Sequence, residues 1–213
     1  MKRITVITLL FLATVTALGQ DKPVRTLPRP DTEGGMPLMA ALKARQTGRA
    51  YTERKLSDQV LSNLLWAACG VNRESGKRTA PSAHNWQEID IYVVLEKGAY
   101  LFDAKDHALK QISNQDLRGK TGSQDFVANA PLNLVYVSDT ARMKNASEPD
   151  KRFYSGTDTG FISQNVYLFC ASEGLATVVR GDKGKSDLPD LLGLQEEQFV
   201  VLTQTVGYPA SSE

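Results

Sequence analysis

The chain has 213 residues, with 25 Lys and Arg against 24 Asp and Glu, a net charge of +1. A balance this even removes the electrostatic case for nucleic-acid binding, and 41% hydrophobic content suffices for one domain with its own core. Only two cysteines are present, and His84 and His107 have no Cys or carboxylate companions at ligand spacing, so neither a disulfide scaffold nor a metal centre is expected.

In chain order, Lys2 and Arg3 precede an apolar run from Ile4 to Val15 and a small-residue signal at Ala17-Leu18-Gly19. This pattern predicts a secretory signal peptide over residues 1–19 rather than a membrane anchor, for which the run is short. Residues 20–35, rich in Pro, Gly, Asp and Arg, read as an extended arm outside the packed domain, which then occupies 36–213. Met36–Arg45 reads as a short helix. Ser57-Asp58 is a good N-cap for a second helix, whose apolar residues Leu61, Leu64, Leu65 and Ala68 follow at helical spacing up to Gly70. Ile89–Leu95 and Ala99–Asp103, joined at Glu96-Lys97-Gly98, predict an antiparallel hairpin.

Arg142–Arg152 reads as a charged surface connection, and Leu132–Val137 as a central strand buried on both faces. Gly160–Ser172 carries a further helical pattern that stops at Gly174. Leu188–Leu192 is a short helix opened by Asp187 and Pro189, and Phe199–Val206 a last strand. Helices interleaved with a hairpin and isolated strands predict an α+β fold, with a mixed, mainly antiparallel sheet flanked by helices. Cys69 and Cys170 end apolar helical patterns and are expected to be buried and unpaired.

Three separated segments carry candidate chemistry. Arg45-Gln46-Thr47-Gly48-Arg49 sets two guanidiniums around a hydroxyl, which suits a phosphate; a solvated basic loop is the alternative. Pro81 to Gln87 crowds Ser82, Asn85 and Gln87 into one connection, either to frame a planar polar ligand or to satisfy its own backbone. Gln164 and Asn165 lie on the later helix, and Val178-Val179-Arg180-Gly181 reads as a loop able to offer amide groups.

Together these segments resemble the nitroreductase family. Arg45, Gln46, Thr47, Arg49 and Tyr51 fill its opening basic pattern, and Ala80-Pro81-Ser82-Ala83-His84-Asn85-Trp86-Gln87 its Ala-Pro-Ser-x-x-Asn-x-Gln loop. Gly160, Gln164, Asn165, Leu168, Gly174 and Leu175 fill its later helix and turn. Leu65-Trp66-Ala67-Ala68-Cys69-Gly70 with Asn72-Arg73 is most similar to the branch containing azoline-oxidising dehydrogenases. The resemblance implies a nitroreductase-like sandwich and a homodimer with FMN at the subunit interface. It assigns the phosphate to Arg45, Gln46, Thr47 and Arg49, the ring and ribityl region to Pro81, Ser82 and Asn85, and the N5 edge to backbone groups of Val179, Arg180 and Gly181.

The flavin would carry the chemistry, so no catalytic side chain is expected. The function implied is that of an exported, periplasmic or extracellular FMN-dependent oxidoreductase. Its substrate would be a small organic molecule, nitroaromatic, quinone or unsaturated (azoline-type), turned over by ping-pong flavin chemistry. Outside the cytoplasm NAD(P)H is scarce, so the electron donor stays open. A non-catalytic flavin- or small-molecule-binding protein on the same fold is the alternative.

Overall fold

A computed structural model describes residues 23–185 and 187–210; the expected signal peptide lies outside the described residues. Seven strands form one sheet: β1 (Val24–Thr26), β2 (Ile89–Leu95), β3 (Gly98–Asp103), β4 (Ala108–Ser113), β5 (Leu132–Asp139), β6 (Ala176–Arg180) and β7 (Gln198–Gly207). Their order is β1-β4-β3-β2-β5-β7-β6, and every adjacent pair is antiparallel. The expected hairpin is β2–β3, and β5 is interior, between β2 and β7. The helices are α1 (Leu38–Ala44), α2 (Asp58–Cys69), α3 (Phe126–Asn129), α4 (Glu148–Glu173) and α5 (Leu188–Leu192).

Alternation along the strands makes the sheet a two-sided core. On β2, Ile91 and Val93 join the cluster under α2 and α4 with Leu64, Leu65, Ile162 and Val166. Tyr92 and Val94 turn to the opposite face and pack with Val135, Val137, Leu188 and Leu192. Both sets are almost completely buried, so β2 and β5 carry apolar residues on both faces instead of in strict alternation. The α2 start is capped as expected: Ser57 Oγ accepts from the Val60 amide at 3.3 Å. Cys69 and Cys170 are buried and free, both in the first cluster.

Three sequence expectations change. The arm at 20–35 is extended but not unpacked. β1 within it pairs with β4 through Val24–Lys110 and Thr26–Ala108, and Leu27 enters the core, because β4 otherwise offers an open edge. The connection at Arg142–Arg152 contains the start of α4, twelve residues before the predicted Gly160. Ser147 Oγ accepts from the Asp150 amide there, and Pro149 stands in the first turn. The first turns of α4 bury Ser155 and Asp158 rather than an apolar stripe, so hydrophobic period could not show them. Lastly, Val178-Val179-Arg180 is not a loop but the end of β6, the outer strand of the sheet.

Candidate active site

The two polar segments that the sequence singles out both pack on α4, at different heights. At one height stands Tyr167. Its hydroxyl receives the Val179 amide at 2.9 Å and lies 3.3 Å from Thr47 Oγ1. The Arg45 guanidinium, just past α1, lies 5.4 Å from the Tyr167 ring centroid. The Gly48 amide donates to Thr177 O on the outer edge of β6, and Tyr51 Oη donates to Gly48 O at 2.7 Å. A Cβ at Gly48 would stand 2.9 Å from that of Ala176, so the loop can lie this close to the strand only as glycine. The result is a cationic loop sewn to a free sheet edge, with Gln46, Thr47 and Arg49 exposed above it. Beyond the edge, a Cβ at Gly181 would meet no atom within 4 Å, which leaves the backbone open to a ligand.

Arg180 is placed differently from its neighbours. Its side chain is buried, and its Nη atoms donate to Thr121 O, Gln124 Oε1 and Asn133 Oδ1. No carboxylate oxygen lies among these partners, and burial pulls its pKa below the ordinary arginine value. Only its backbone belongs to the open edge.

The second half lies at Asp158, nine residues earlier on α4, about 14 Å along the axis at the α-helical rise. Here the loop from Pro81 to Gln87 adopts a shape that its residue types do not favour. His84, Asn85 and Gln87 all have φ between 50° and 56°, the left-handed region. Bonds to its surroundings hold it. Ser82 Oγ accepts from the Gln87 amide at 2.8 Å and donates to Glu88 Oε2 at 3.1 Å, and the Ala83 amide donates to Asp158 Oδ2 at 2.8 Å. Gln87 Nε2 reaches Asn85 Oδ1 and Gly76 O, both at 3.2 Å. Ser82 is thus engaged with its own loop, while Pro81 and Asn85 are exposed. His84, Trp86 and Tyr154 form an aromatic group beside it, with His84–Trp86 centroids 4.6 Å apart.

Behind this loop lies a cavity of about 320 Å³. Arg73, Lys77 and Arg78 edge it; Glu88, Asp158 and Ile162 line its depth. Glu88 is 0% exposed and Asp158 2%. Burial, with the Asp158 carboxylate beside it, pushes the Glu88 pKa up to about 7. Glu88 Oε1 and Arg78 Nε are buried without a hydrogen-bond partner.

Sequence reasoning singled out the cationic loop and the Val179 segment, which lie side by side in the structure, but passed over Tyr167, which joins them, and Glu88. The signal for Glu88 was a carboxylate directly before the apolar-rich strand β2. Gln164 is exposed, and Asn165 Nδ2 reaches only Ala68 O, at 3.5 Å. Among the described residues no cluster of His, Cys, Asp and Glu is arranged to hold a metal, and no helix is long and apolar enough to cross a membrane.

The model of the nitroreductase family matches residues 42–208, which takes in both halves of the site. The chain belongs to the nitroreductase family. A nitroreductase homologue of Methanocaldococcus jannaschii is 28% identical over 183 residues, 81% of this chain and 92% of that protein. A crystallised nitroreductase homologue from Ralstonia eutropha JMP134 is 40% identical, with a TM-score of 0.85 over 98% of this chain and all of the other. The NADPH:FMN oxidoreductase of Vibrio harveyi, solved with NAD+, shares the fold at 22% identity and a TM-score of 0.59, over 82% of this chain and 69% of that one. This nitroreductase-family chain is therefore an oxidoreductase by family, on an antiparallel α+β sandwich.

Proposed function

We propose that this nitroreductase-family chain is an exported FMN-dependent oxidoreductase acting on a small organic substrate by ping-pong flavin chemistry. The substrate class is nitroaromatic, quinone or unsaturated and azoline-type, the last because of the Leu65–Gly70 and Asn72-Arg73 likeness. The observation that carries the reading is the pair of hydrogen bonds at the Tyr167 hydroxyl, to Thr47 Oγ1 and from the Val179 amide, which sets the Arg45–Arg49 cations and the outer edge of β6 side by side. Phosphate and planar ring demand that combination: forked cations and a hydroxyl at one end, directed backbone groups near the other. The FMN oxidoreductase of Vibrio harveyi, built on the same fold, supports the choice of flavin.

In this reading Arg45, Thr47 and Arg49 bind the phosphate, with Gln46 beside them, and open backbone at Val179–Gly181 approaches the ring. Pro81, Ser82 and Asn85 flank the ring and ribityl region. FMN, when bound, supplies two-electron redox chemistry, and the protein supplies placement and polarity. Water is excluded by a second copy of the chain. Leu38, Met39 and Leu42 on α1 are exposed, and α1 packs beside α4, where Phe161 is exposed as well. A homodimer covering this face places the cofactor at the interface.

Purified protein is expected to be yellow, with a flavin band that a reductant bleaches and a nitroaromatic or quinone restores. A colourless protein that takes up no FMN removes the proposal. A flavin band that bleaches but is not restored by either acceptor identifies the non-catalytic binder instead.

A further inference from the structure

The Glu88–Asp158 pair has no role in holding a flavin, and its burial calls for one. Two carboxyl groups that line one cavity, both out of water, are costly to ionise together without a compensating cation. Among the described residues no cation is bonded to either. Arg78, in the segment before the loop, spends Nη1 on Cys69 Sγ at the end of α2. Arg142, after β5, is bonded to Asp90 on β2, to Asp139 and to Gln87 O. Arg73 and Lys77 stand exposed at the cavity rim. Glu88 therefore holds its proton up to about pH 7, and among the described residues Glu88 Oε1 has no hydrogen-bond partner.

We propose that Glu88 is the acid of this pocket, passing its proton through the Ser82 hydroxyl to the small molecule reduced beside the Pro81–Gln87 loop. The geometry supplies the links of the proton path. Glu88 Oε2 is 3.1 Å from Ser82 Oγ; with Glu88 protonated this bond runs from the carboxyl to the hydroxyl, which leaves the Ser82 proton for the cavity that Ser82, Glu88 and Asp158 face, a space large enough for a small ligand. The Gln87 amide holds Ser82 Oγ from one side and Asp158 holds the Ala83 amide from the other, so the hydroxyl is fixed in place. Two-electron reduction of an organic acceptor consumes one hydride equivalent and one proton. A reduced flavin, when bound, would supply the hydride. Ser82 Oγ gives its proton to the acceptor and takes the Glu88 proton in return. The Glu88 carboxylate then regains a proton from water through the cavity mouth. Burial, with the Asp158 carboxylate beside it, keeps Glu88 protonated up to about pH 7.

This inference rests on the proposed function, and two measurements separate the failure of each. First, infrared titration of the full-length protein between about pH 5 and pH 8 should show a carboxylic-acid C=O band that fades toward neutral pH and is missing in Glu88→Gln. No such band, or a band that survives in Glu88→Gln, overturns the inference without reference to flavin. Second, FMN-loaded, reduced protein is reoxidised by 4-nitrobenzoate in a single turnover. The parent rate should fall as pH rises through about 7, whereas Glu88→Gln should be slower by on the order of a hundredfold and flat with pH. Ser82→Ala, which leaves the carboxyl pair in place, should match Glu88→Gln in rate and keep the infrared band. A chain that binds no FMN overturns both proposals; a flavin-loaded Glu88→Gln or Ser82→Ala protein with the parent's pH profile overturns this one alone.

Discussion

The Tyr167 hydroxyl accepts the Val179 amide at 2.9 Å, and so a residue in the middle of α4 completes the outer edge of β6. The same oxygen lies beside Thr47, so helix, strand and cationic loop meet at one atom. Tyr167→Phe leaves the Val179 amide without its partner and removes one of the ties of the loop to the edge, the Gly48–Thr177 bond remaining. A loss of about 1 kcal/mol in denaturant unfolding is expected, with FMN affinity weakened by roughly fivefold. Parent-like FMN binding in this variant would mean that the loop position does not matter to the phosphate.

The cations should count separately from the fold. Arg49 is exposed, so Arg49→Ala is expected to leave the melting temperature unchanged and to weaken FMN by roughly tenfold or more, the worth of one charge-assisted bond at about 1.5–3 kcal/mol. Arg45→Ala gives the same loss plus that of its contact with the Tyr167 ring. Riboflavin, which lacks the phosphate, should bind all three proteins alike. Equal weakening of both ligands would move the phosphate elsewhere.

The α1 face provides a test of assembly. Met39 is 76% exposed, and its replacement by Asp removes nothing from the monomer core. A stable dimer interface on this face buries on the order of 2,000 Å² and does not tolerate an unpaired carboxylate at its centre. Light scattering at low micromolar concentration should show a dimer for the parent and a monomer for Met39→Asp. A monomeric parent that holds flavin rules out the interface.

Asn85 combines a left-handed φ of 56° with an exposed side chain. Asn85→Ala puts an ordinary Cβ into that conformation at a cost of about 1–2 kcal/mol, while Asn85→Gly avoids it. If the amide also tunes a flavin, both variants should shift the reduction potential in the same direction while only the Ala variant loses stability. An unaltered potential in both leaves Asn85 as a turn residue alone.

The buried Glu88 also sets a pH dependence of stability. Its folded pKa of about 7 lies above the ordinary value of 4.5, so the native state binds its proton more tightly than the unfolded chain. The contribution is fully present below about pH 4.5 and is lost as pH rises through about 7. The parent should therefore lose denaturant midpoint between about pH 5 and pH 8, and Glu88→Gln should lose less over the same interval. Identical slopes would place the proton elsewhere.

Local pattern alone determined most of the architecture. Ser57 before an apolar helical period, the Glu96-Lys97-Gly98 link and the continuous run Leu132–Val137 each specify an element through its own period and turn chemistry, and α2, the β2–β3 hairpin and β5 follow. The cationic loop and the Pro81–Gln87 loop were legible for the same reason, since their residue types are adjacent in the chain. The sheet edges were not legible. β1 and β6 are strands because β4 and β7 offer them open backbone, a condition set far away in sequence. The start of α4 was hidden because its buried side chains there are Ser155 and Asp158, which carry no hydrophobic period. Tyr167 and Glu88 acquire their roles only through tertiary contact. The hydroxyl of one joins segments 120 and 12 residues away, and the carboxyl of the other is driven to hold a proton by burial against a helix 70 residues on. Desolvation and hydrogen-bond partnership depend on what surrounds a group in space, and sequence period does not encode that.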